Sequence, residues 1–275
     1  MTRRRHALQD LTWLEFRDRL AQEPVILLPL GSQEEQGPHA PMGDYVLAEQ
    51  VALMAAERAE AICAPVLPFG HAEFFRGAPG GIQLRAATFQ MVLEDMIGAF
   101  LDHGLTRIVV CNGHTTNGPL ISQVTHKIRR ERGLVVPSVN LWRALPESEW
   151  TRLHGENASR ARGHGADPLT SVYMHLMPGS IRLDRLRQPP VKRKPSFGLA
   201  SVPFSGVIFN SGGVDLPLDA LEVADNGIGS GDPSCASAEI GAGMVEWLVA
   251  WLAAFATHFR RCDPRNPAIA PEVRT

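Results

Sequence analysis

The chain alternates between short apolar runs and longer segments whose apolar residues recur at helical spacing. Runs rich in β-branched side chains predict strands, and the amphipathic segments between them predict helices. The predicted strands are 24–30, 61–67, 106–111 and 134–141, and the predicted helices are 44–60, 87–103, 119–132, 168–177 and 237–259. Strands that alternate with helices form parallel sheets with helices on both faces. We therefore predict an α/β fold, a three-layer domain with a mostly parallel sheet.

The 275 residues contain no linker that would separate two domains. We predict a single domain over residues 1–275, with a core from about residue 10 to about residue 260 and a loose tail over 261–275. Residues 180–230 are rich in proline, glycine and short apolar runs. This composition predicts loops with a few short strands.

Charge and cysteine content narrow the function classes. The formal net charge of -2 gives no electrostatic reason to expect nucleic acid or an anionic membrane as a partner. The four cysteines form no CxxC pair, which argues against a structural zinc knuckle. No signal peptide is visible, and the longest apolar run, near 247–256, is too short to span a bilayer. We expect a cytoplasmic protein with reduced thiols.

Polar side chains that suit metal chemistry follow the first predicted strand. Glycines and prolines give the loop over 31–44 a defined shape, and it carries Glu34, Glu35, His39 and Asp44. Asp44 also suits the N-cap of the next helix. An N-cap alone does not explain Glu34 and His39 in the same loop, so a functional loop is the stronger interpretation.

Two further polar loops lie at strand or helix ends. His114 follows the third strand, and His164 and Asp167 precede a predicted helix that Asp167 could simply cap. In parallel α/β sheets such loops meet beyond the carboxyl ends of the strands. Carboxylates and imidazoles are ligands for zinc, manganese or iron(II) in hydrolytic sites. The glycine-rich loop over 70–81, with aromatic residues at Phe74 and Phe75, is either a pocket wall or a surface loop, and we favour the wall.

These motifs together resemble the creatininase (creatinine amidohydrolase) family. Its G-S-x-E-Q-H-G-P-H-L-P, P-G-T, N-G-H-G-G-N, H-A-G-E-x-E-T-S and G-D-P-x-x-A-x-x-E segments are similar, in this order, to residues 31–41, 79–81, 112–117, 164–171 and 231–239. The resemblance implies a compact α/β domain and a metal-dependent amidohydrolase, commonly a homohexamer, that uses zinc, or else manganese or iron, on a small-molecule amide.

The resemblance also implies roles for individual residues. Glu34, Asp44 and His114 fall on the ligands of one metal, with Asp44 bridging to a second. His164 falls on a histidine that handles the proton of the scissile amide. Asp167 falls where many members have a glutamate, which implies a ligand of the second metal.

Three departures from the family pattern bear on the second metal and on the substrate. Gln36 replaces the histidine after E-Q, Leu169 replaces the second glutamate of the H-A-G-E-x-E segment, and Thr116 stands where creatininase itself has a metal-binding glutamate. The number of ions, one or two, is therefore open, and creatinine is a poor candidate substrate. We expect a hydrolase of a C–N amide bond in a small or cyclic amide. The alternatives are a peptidase or tailoring enzyme with the same centre, and a binding or scaffold protein that lost catalysis.

Overall fold

The computed structural model describes residues 5–186, 193–202 and 206–270. Its main sheet has four parallel strands in the order β2-β1-β3-β4. They are β1 (Ile26–Leu30), β2 (Ile62–Cys63), β3 (Ile108–Asn112) and β4 (Ser138–Asn140). Ile26 lies opposite Ile62 on one side and Ile108 on the other. Every residue of β1 and β3 is buried, as expected for central strands of a parallel sheet.

Ten α-helices are assigned among the described residues. They are α1 (Trp13–Leu20), α2 (Tyr45–Ala59), α3 (Ala86–Leu101), α4 (Gly118–Arg132), α5 (Leu141–Ala144), α6 (Glu147–His154), α7 (Ala158–Ala161), α8 (Leu169–Leu176), α9 (Ala220–Val223) and α10 (Ala238–Phe259). The sequence pattern predicted neither α1 nor the short helices α5, α6, α7 and α9. Helix α1 has no fully buried residue, but Phe16 and Leu20 pack against the core, and a capping box between Thr12 and Glu15 marks the start of the helix.

The helices cover both faces of the sheet. Alternate residues of a strand point to opposite faces, so Leu28 packs with Phe89 and Val124 of α3 and α4, whereas Leu27 packs in a cluster with Val51 of α2 and Leu248 of α10. This arrangement confirms the predicted three-layer α/β domain. A separate antiparallel hairpin, β5 (Gly206–Phe209) and β6 (Gly212–Asp215), lies in the segment where short strands were expected.

Helix α10 is longer than the apolar run suggested. Its 22 residues make it long and apolar enough, by length and composition, to cross a membrane, and it alone passes that test in the described chain. The expectation that this run is too short therefore needs correction. Nine residues of α10 are buried in the domain, including Met244, Leu248 and Leu252, and the core helix of a globular domain passes the same test.

The segment after α10 begins attached to the domain rather than loose. The Val135 backbone amide donates to the Pro264 carbonyl at 2.9 Å, and Arg107 Nε donates to the Cys262 carbonyl at 3.1 Å. Pro264 is buried. Residues 271–275 of the predicted tail lie outside the described residues.

Candidate metal centre

The loops after β1 and β3 leave the same edge of the sheet. Leu30 pairs with Asn112, so both loops start side by side. Gly31 lets the first loop pass against the start of α2, because a Cβ there would lie 2.3 Å from the Tyr45 Cα. This close approach returns Asp44 to a position above the ends of the two strands.

Two buried asparagines hold the loops in register. Asn112 accepts from the His114 backbone amide at 3.1 Å through Oδ1 and donates to the His114 carbonyl through Nδ2. Asn117 donates to the Gly31 carbonyl at 3.2 Å and accepts from the His71 backbone amide at 2.9 Å. Side-chain hydrogen bonds thus fix the backbone on which His114 stands, which limits the freedom of its imidazole.

Glu34, Asp44 and His114 form one compact group. Their ligand atoms all lie within 4.8 Å of one another. His114 Nδ1 is 3.1 Å from Glu34 Oε1 and 2.9 Å from Asp44 Oδ2. Asp44 occupies the N-cap position of α2 but makes no side-chain capping bond, and its Oδ1 accepts from the Ser32 backbone amide at 2.6 Å. The helix-cap interpretation of Asp44 therefore fails.

The group has the features of a divalent-cation site. Glu34 Oε2 is buried and has no hydrogen-bond partner among the described residues, which is costly unless a cation or water satisfies it. Thr116 Oγ1 donates to the His71 carbonyl at 2.7 Å and so accepts from His114 Nε2. This bond leaves the Nδ1 lone pair of His114 directed at the two carboxylates, as metal-binding histidines require. Two carboxylates and an imidazole fit zinc or manganese.

The pKa values of His114 and Asp44 also indicate a cation site. Burial acts to lower the pKa of His114, but the charges of Glu34 and Asp44 outweigh it and raise that pKa to about 10. Burial raises the pKa of Asp44 to about 6, with the His114 charge opposing this and the Glu34 charge adding to it. The two carboxylates therefore attract a positive charge, which a divalent cation supplies more strongly than a proton on the imidazole.

Asp167 is not brought into this group. Its Oδ1 accepts from the Ser171 backbone amide at 2.8 Å, and its Oδ2 accepts from Ser171 Oγ at 2.6 Å and lies 2.8 Å from His154 Nε2. The Asp167 and His154 side chains are 1% and 0% exposed. Both oxygens of Asp167 are thus engaged at the start of α8, and its assignment as a second-metal ligand gains no support from the geometry. The partner His154 was missed, because it has no local sequence signal.

The contacts of Gln36 and His39 also give no support for either residue as a metal ligand. Gln36 Nε2 donates to Glu34 Oε1 at 3.1 Å. His39 is fully buried and its Nε2 is 3.3 Å from Thr170 Oγ1, outside the group of three ligands. The loop over 31–44 therefore contributes Glu34 and Asp44 to the three-residue group, and Gln36 and His39 make hydrogen-bond contacts with neighbouring side chains.

His164 is paired with Glu35, a residue to which the sequence pattern assigned no role. His164 Nε2 lies 3.0 Å from Glu35 Oε1, and Glu35 Oε2 accepts from the Gly37 backbone amide at 2.7 Å. Phe75 stacks on the His164 ring, with centroids 4.1 Å apart. Burial acts to lower the pKa of His164, but the hydrogen bond and charge of Glu35 outweigh it and raise that pKa. Gly227 makes room, because a Cβ there would lie 2.3 Å from Glu35 Oε2.

A pocket of about 600 Å³ joins His164 to the three-ligand group. Phe74 and Phe75 line it, which confirms that part of the loop over 70–81 is a pocket wall. Glu73 and Arg76 of that loop instead pair with each other on the surface at 2.6 Å. Further lining residues include Trp142, Arg143, Arg162, Asp167 and Leu169.

A parallel α/β domain with two buried carboxylates and an imidazole at a pocket defines the class of candidate metallohydrolases. Comparison with known proteins specifies the class further. Residues 9–256 match the sequence profile of the creatininase family, described as creatinine amidohydrolase. The chain belongs to this family of amidohydrolases.

Three curated relatives show the range of activities in the family. The chain is 28% identical over 210 residues to the creatinine amidohydrolase of Pseudomonas putida, covering 70% of this chain and 80% of the relative. It is 28% identical over 178 residues to the 3-dehydro-scyllo-inosose hydrolase of Thermotoga maritima, covering 62% and 56%. It is 26% identical over 170 residues to the mycofactocin precursor peptide peptidase of Mycolicibacterium smegmatis, covering 59% and 62%. All three are hydrolases, and their substrates differ.

Solved structures of creatininase share the fold. A crystal structure of creatinine amidohydrolase is 26% identical to this chain, with a TM-score of 0.75, covering 92% of this chain and 96% of the solved one. A manganese form of creatininase and a Zn-Zn form of a creatininase mutant each have a TM-score of 0.74 at 26% identity, covering 92% and 97%. Zinc and manganese are therefore metals that the related creatininase binds.

Proposed function

We propose that this protein hydrolyses a C–N amide bond of a small or cyclic amide, with a divalent metal ion held by Glu34, Asp44 and His114. The observation that supports this most strongly is the buried three-ligand group beside a pocket that also contains a carboxylate-paired histidine. Family membership supports the reaction class, and the substrate itself is part of the proposal.

The ligand residues have separable tasks in this proposal. Glu34 and Asp44 supply the negative charge that attracts a cation, and Asp44 is held in place by the Ser32 backbone amide. His114 is held by Thr116, so its Nδ1 faces the carboxylates. A divalent ion held there would polarise the substrate carbonyl and lower the pKa of a water.

His164 would handle the proton that the leaving nitrogen needs. The ring lies in the pocket wall, and the contacts with Glu35 and Phe75 fix its orientation. A histidine held in this way acts as a general acid when it reaches the leaving group. Glu35 stabilises the charged ring, since a buried carboxylate next to an imidazole favours the protonated form.

The pocket lining favours a substrate with an acidic substituent. Arg143 and Arg162 line the pocket, and Phe74, Trp142 and Leu169 bring apolar surface to it. The Arg162 guanidinium pairs with Glu147 at 2.9 Å, so Arg143 is the lining cation that carries this argument. The carboxylates of the lining are Glu34, Asp44 and Asp167, all buried and engaged or assigned to the metal. Guanidinium groups bind carboxylates and phosphates in preference to neutral groups.

The proposal is tested by metal analysis combined with a substrate panel. Purified protein is reconstituted with Zn²⁺ or Mn²⁺, freed of excess ions, and assayed on lactams, cyclic ureas, formamides, creatinine and N-terminal peptides, each in a neutral and a carboxylate-bearing form. We expect bound metal, turnover of an amide other than creatinine, and a preference for the acidic form. Asp44→Ala should lose both metal and turnover.

The control for Asp44→Ala is Asp18→Ala, which removes an exposed carboxylate that pairs with Arg17. It should keep full metal content and activity. Wild-type protein that binds no transition metal after reconstitution would refute the proposed function. Metal binding with no turnover on any amide would favour the alternative of a binding protein that lost catalysis, and turnover of peptides alone would favour a peptidase.

We also propose that the protein is a homo-oligomer. Phe209, Ile208 and Val214 of the β5–β6 hairpin are exposed, with 56% of the Phe209 surface accessible, and Phe197, which precedes the hairpin in the chain, exposes 87%. Clusters of exposed apolar side chains are typical of association surfaces. Light scattering coupled to gel filtration measures the assembly, which the family resemblance predicts to be a hexamer; a monomer at micromolar concentration would contradict this proposal. The cytoplasmic location stays a prediction.

A further inference from the structure

We infer that the centre holds one divalent ion per subunit, in contrast to the Zn-Zn form of the related creatininase. This inference rests on the proposed metal site of Glu34, Asp44 and His114. Its basis is that the side chains bordering the group are either hydrogen-bond donors or already engaged.

Asp44 presents one oxygen to the site rather than two. Its Oδ2 lies 2.9 Å from His114 Nδ1, on the inner side of the group. Its Oδ1 accepts from the Ser32 backbone amide at 2.6 Å, and Ser32 follows directly on the loop that leaves β1. A carboxylate that bridges two ions with separate oxygens needs both of them. The backbone amide therefore occupies one lone pair of Oδ1 and holds that oxygen toward the loop, which leaves Oδ2 as the oxygen directed into the group.

Next to Glu34, Gln36 presents a hydrogen-bond donor to the group and not a metal ligand. Its Nε2 donates to Glu34 Oε1 at 3.1 Å, and the residue is 2% exposed. An amide nitrogen carries two hydrogens and offers no lone pair to a metal. An ion on this side would meet N–H groups instead of a ligand, and it would compete with Gln36 for the Glu34 oxygen.

The other polar side chains around the group are committed elsewhere. Both oxygens of Asp167 accept hydrogen bonds or contact His154, and Thr116 donates its hydroxyl proton to the His71 carbonyl. Glu35 accepts from Gly37 and contacts His164. Among the histidines, cysteines and carboxylates of the described chain, Glu34, Asp44 and His114 form the one group whose ligand atoms all lie close enough for a shared ion.

The charge of the buried carboxylates also favours one divalent ion per subunit. The carboxylates of Glu34 and Asp44 together neutralise one divalent ion, and both are 2% exposed. A second divalent ion would add two positive charges to a buried site whose remaining lining carboxylate, Asp167, is engaged by His154 and Ser171, with Arg143 in the same pocket. Burying unpaired charge is strongly unfavourable.

The test counts ions without relying on activity. Metal-free wild-type protein is loaded with Mn²⁺ in steps, freed of unbound ions, and measured by plasma mass spectrometry and by electron paramagnetic resonance. We expect a plateau at one ion per subunit and the spectrum of isolated Mn²⁺. A plateau at two ions, or the spectrum of an exchange-coupled pair, would overturn the inference while leaving the proposed hydrolase intact. A plateau at zero would overturn both.

Substitutions at Gln36 and Thr116 test whether these side chains set the number. The double variant Gln36→His with Thr116→Glu supplies an imidazole and a carboxylate, and we expect it to bind up to two ions. The matched control Gln36→Asn with Thr116→Ser supplies neither and should stay at one. Circular dichroism checks that both variants fold. A folded ligand-bearing variant that stays at one ion, or a control that binds two, would overturn the structural argument.

Discussion

Removing the Asp167 carboxylate should destabilise the fold and leave the metal site filled. In Asp167→Ala, His154 loses its buried partner at 2.8 Å, and the Ser171 backbone amide and hydroxyl lose their acceptors at 2.8 and 2.6 Å. A buried polar group left without its partner costs about 1–3 kcal/mol, so the loss of these three contacts together should cost about 3–5 kcal/mol. That is a large part of the total of about 5–15 kcal/mol that holds a typical domain together. For a chain of this size, the melting temperature should fall by roughly 6–20 °C.

The assay is thermal and urea unfolding followed by tryptophan fluorescence, with metal content measured on the same samples. Asp167→Asn keeps an acceptor for the Ser171 amide and should lose less, about 1.5–3 kcal/mol, because one charged hydrogen bond is weakened. Adding His154→Ala to Asp167→Ala should cost less than the sum of the two single losses, since the two side chains share one interaction. If Asp167→Ala costs less than about 1 kcal/mol and empties the metal site, the reasoning is refuted and Asp167 is a ligand, as the sequence predicts.

Three further predictions concern the centre and its histidine partner. Metal affinity should rise about tenfold per pH unit between about pH 6 and 9, because binding displaces the proton that the carboxylates hold on His114, whose pKa they raise to about 10; calorimetric titrations across this range measure it, and a flat profile would contradict it. Glu35→Gln keeps the shape of the side chain but removes the charge next to His164, so kcat should fall about 100-fold with metal content and KM little changed; equal kcat would show that the pair has no role in turnover. Gly227→Ala should lower kcat and stability together, because the added methyl group would lie 2.3 Å from Glu35 Oε2; unchanged kinetics and melting would contradict the packing.

The layered fold and the three side chains of the candidate metal centre could be predicted because their signals are local. Apolar runs and helical periodicity predicted the four strands of the main sheet and five of its helices, and the strand ends then placed Glu34, Asp44 and His114 at one edge. Helix α1 was missed, since it is only eight residues long and buries no residue, although a capping box marks its start.

The sequence by itself could not determine which polar side chains bind each other across the loops. Asp167 follows His164 by three residues, yet the two side chains have different partners. Asp167 contacts His154 and Ser171, whereas His164 contacts Glu35, a residue 129 positions away in the chain. Such pairings depend on the positions of separate loops, which only packing sets.

The number of ions that we infer also depends on side-chain contacts that only the folded chain shows. A histidine replaced by Gln36 left one or two ions open, because a sequence does not show where an amide points. In the folded chain the Gln36 amide donates to Glu34, and the Ser32 backbone holds one oxygen of Asp44. Residue types thus determined that a cation can bind at this edge of the sheet, since carboxylates and imidazoles carry the right lone pairs wherever they meet. Tertiary structure decided which of those lone pairs stay available, because hydrogen bonds that form only in the folded chain, such as those that Asp44 and Asp167 accept, occupy others.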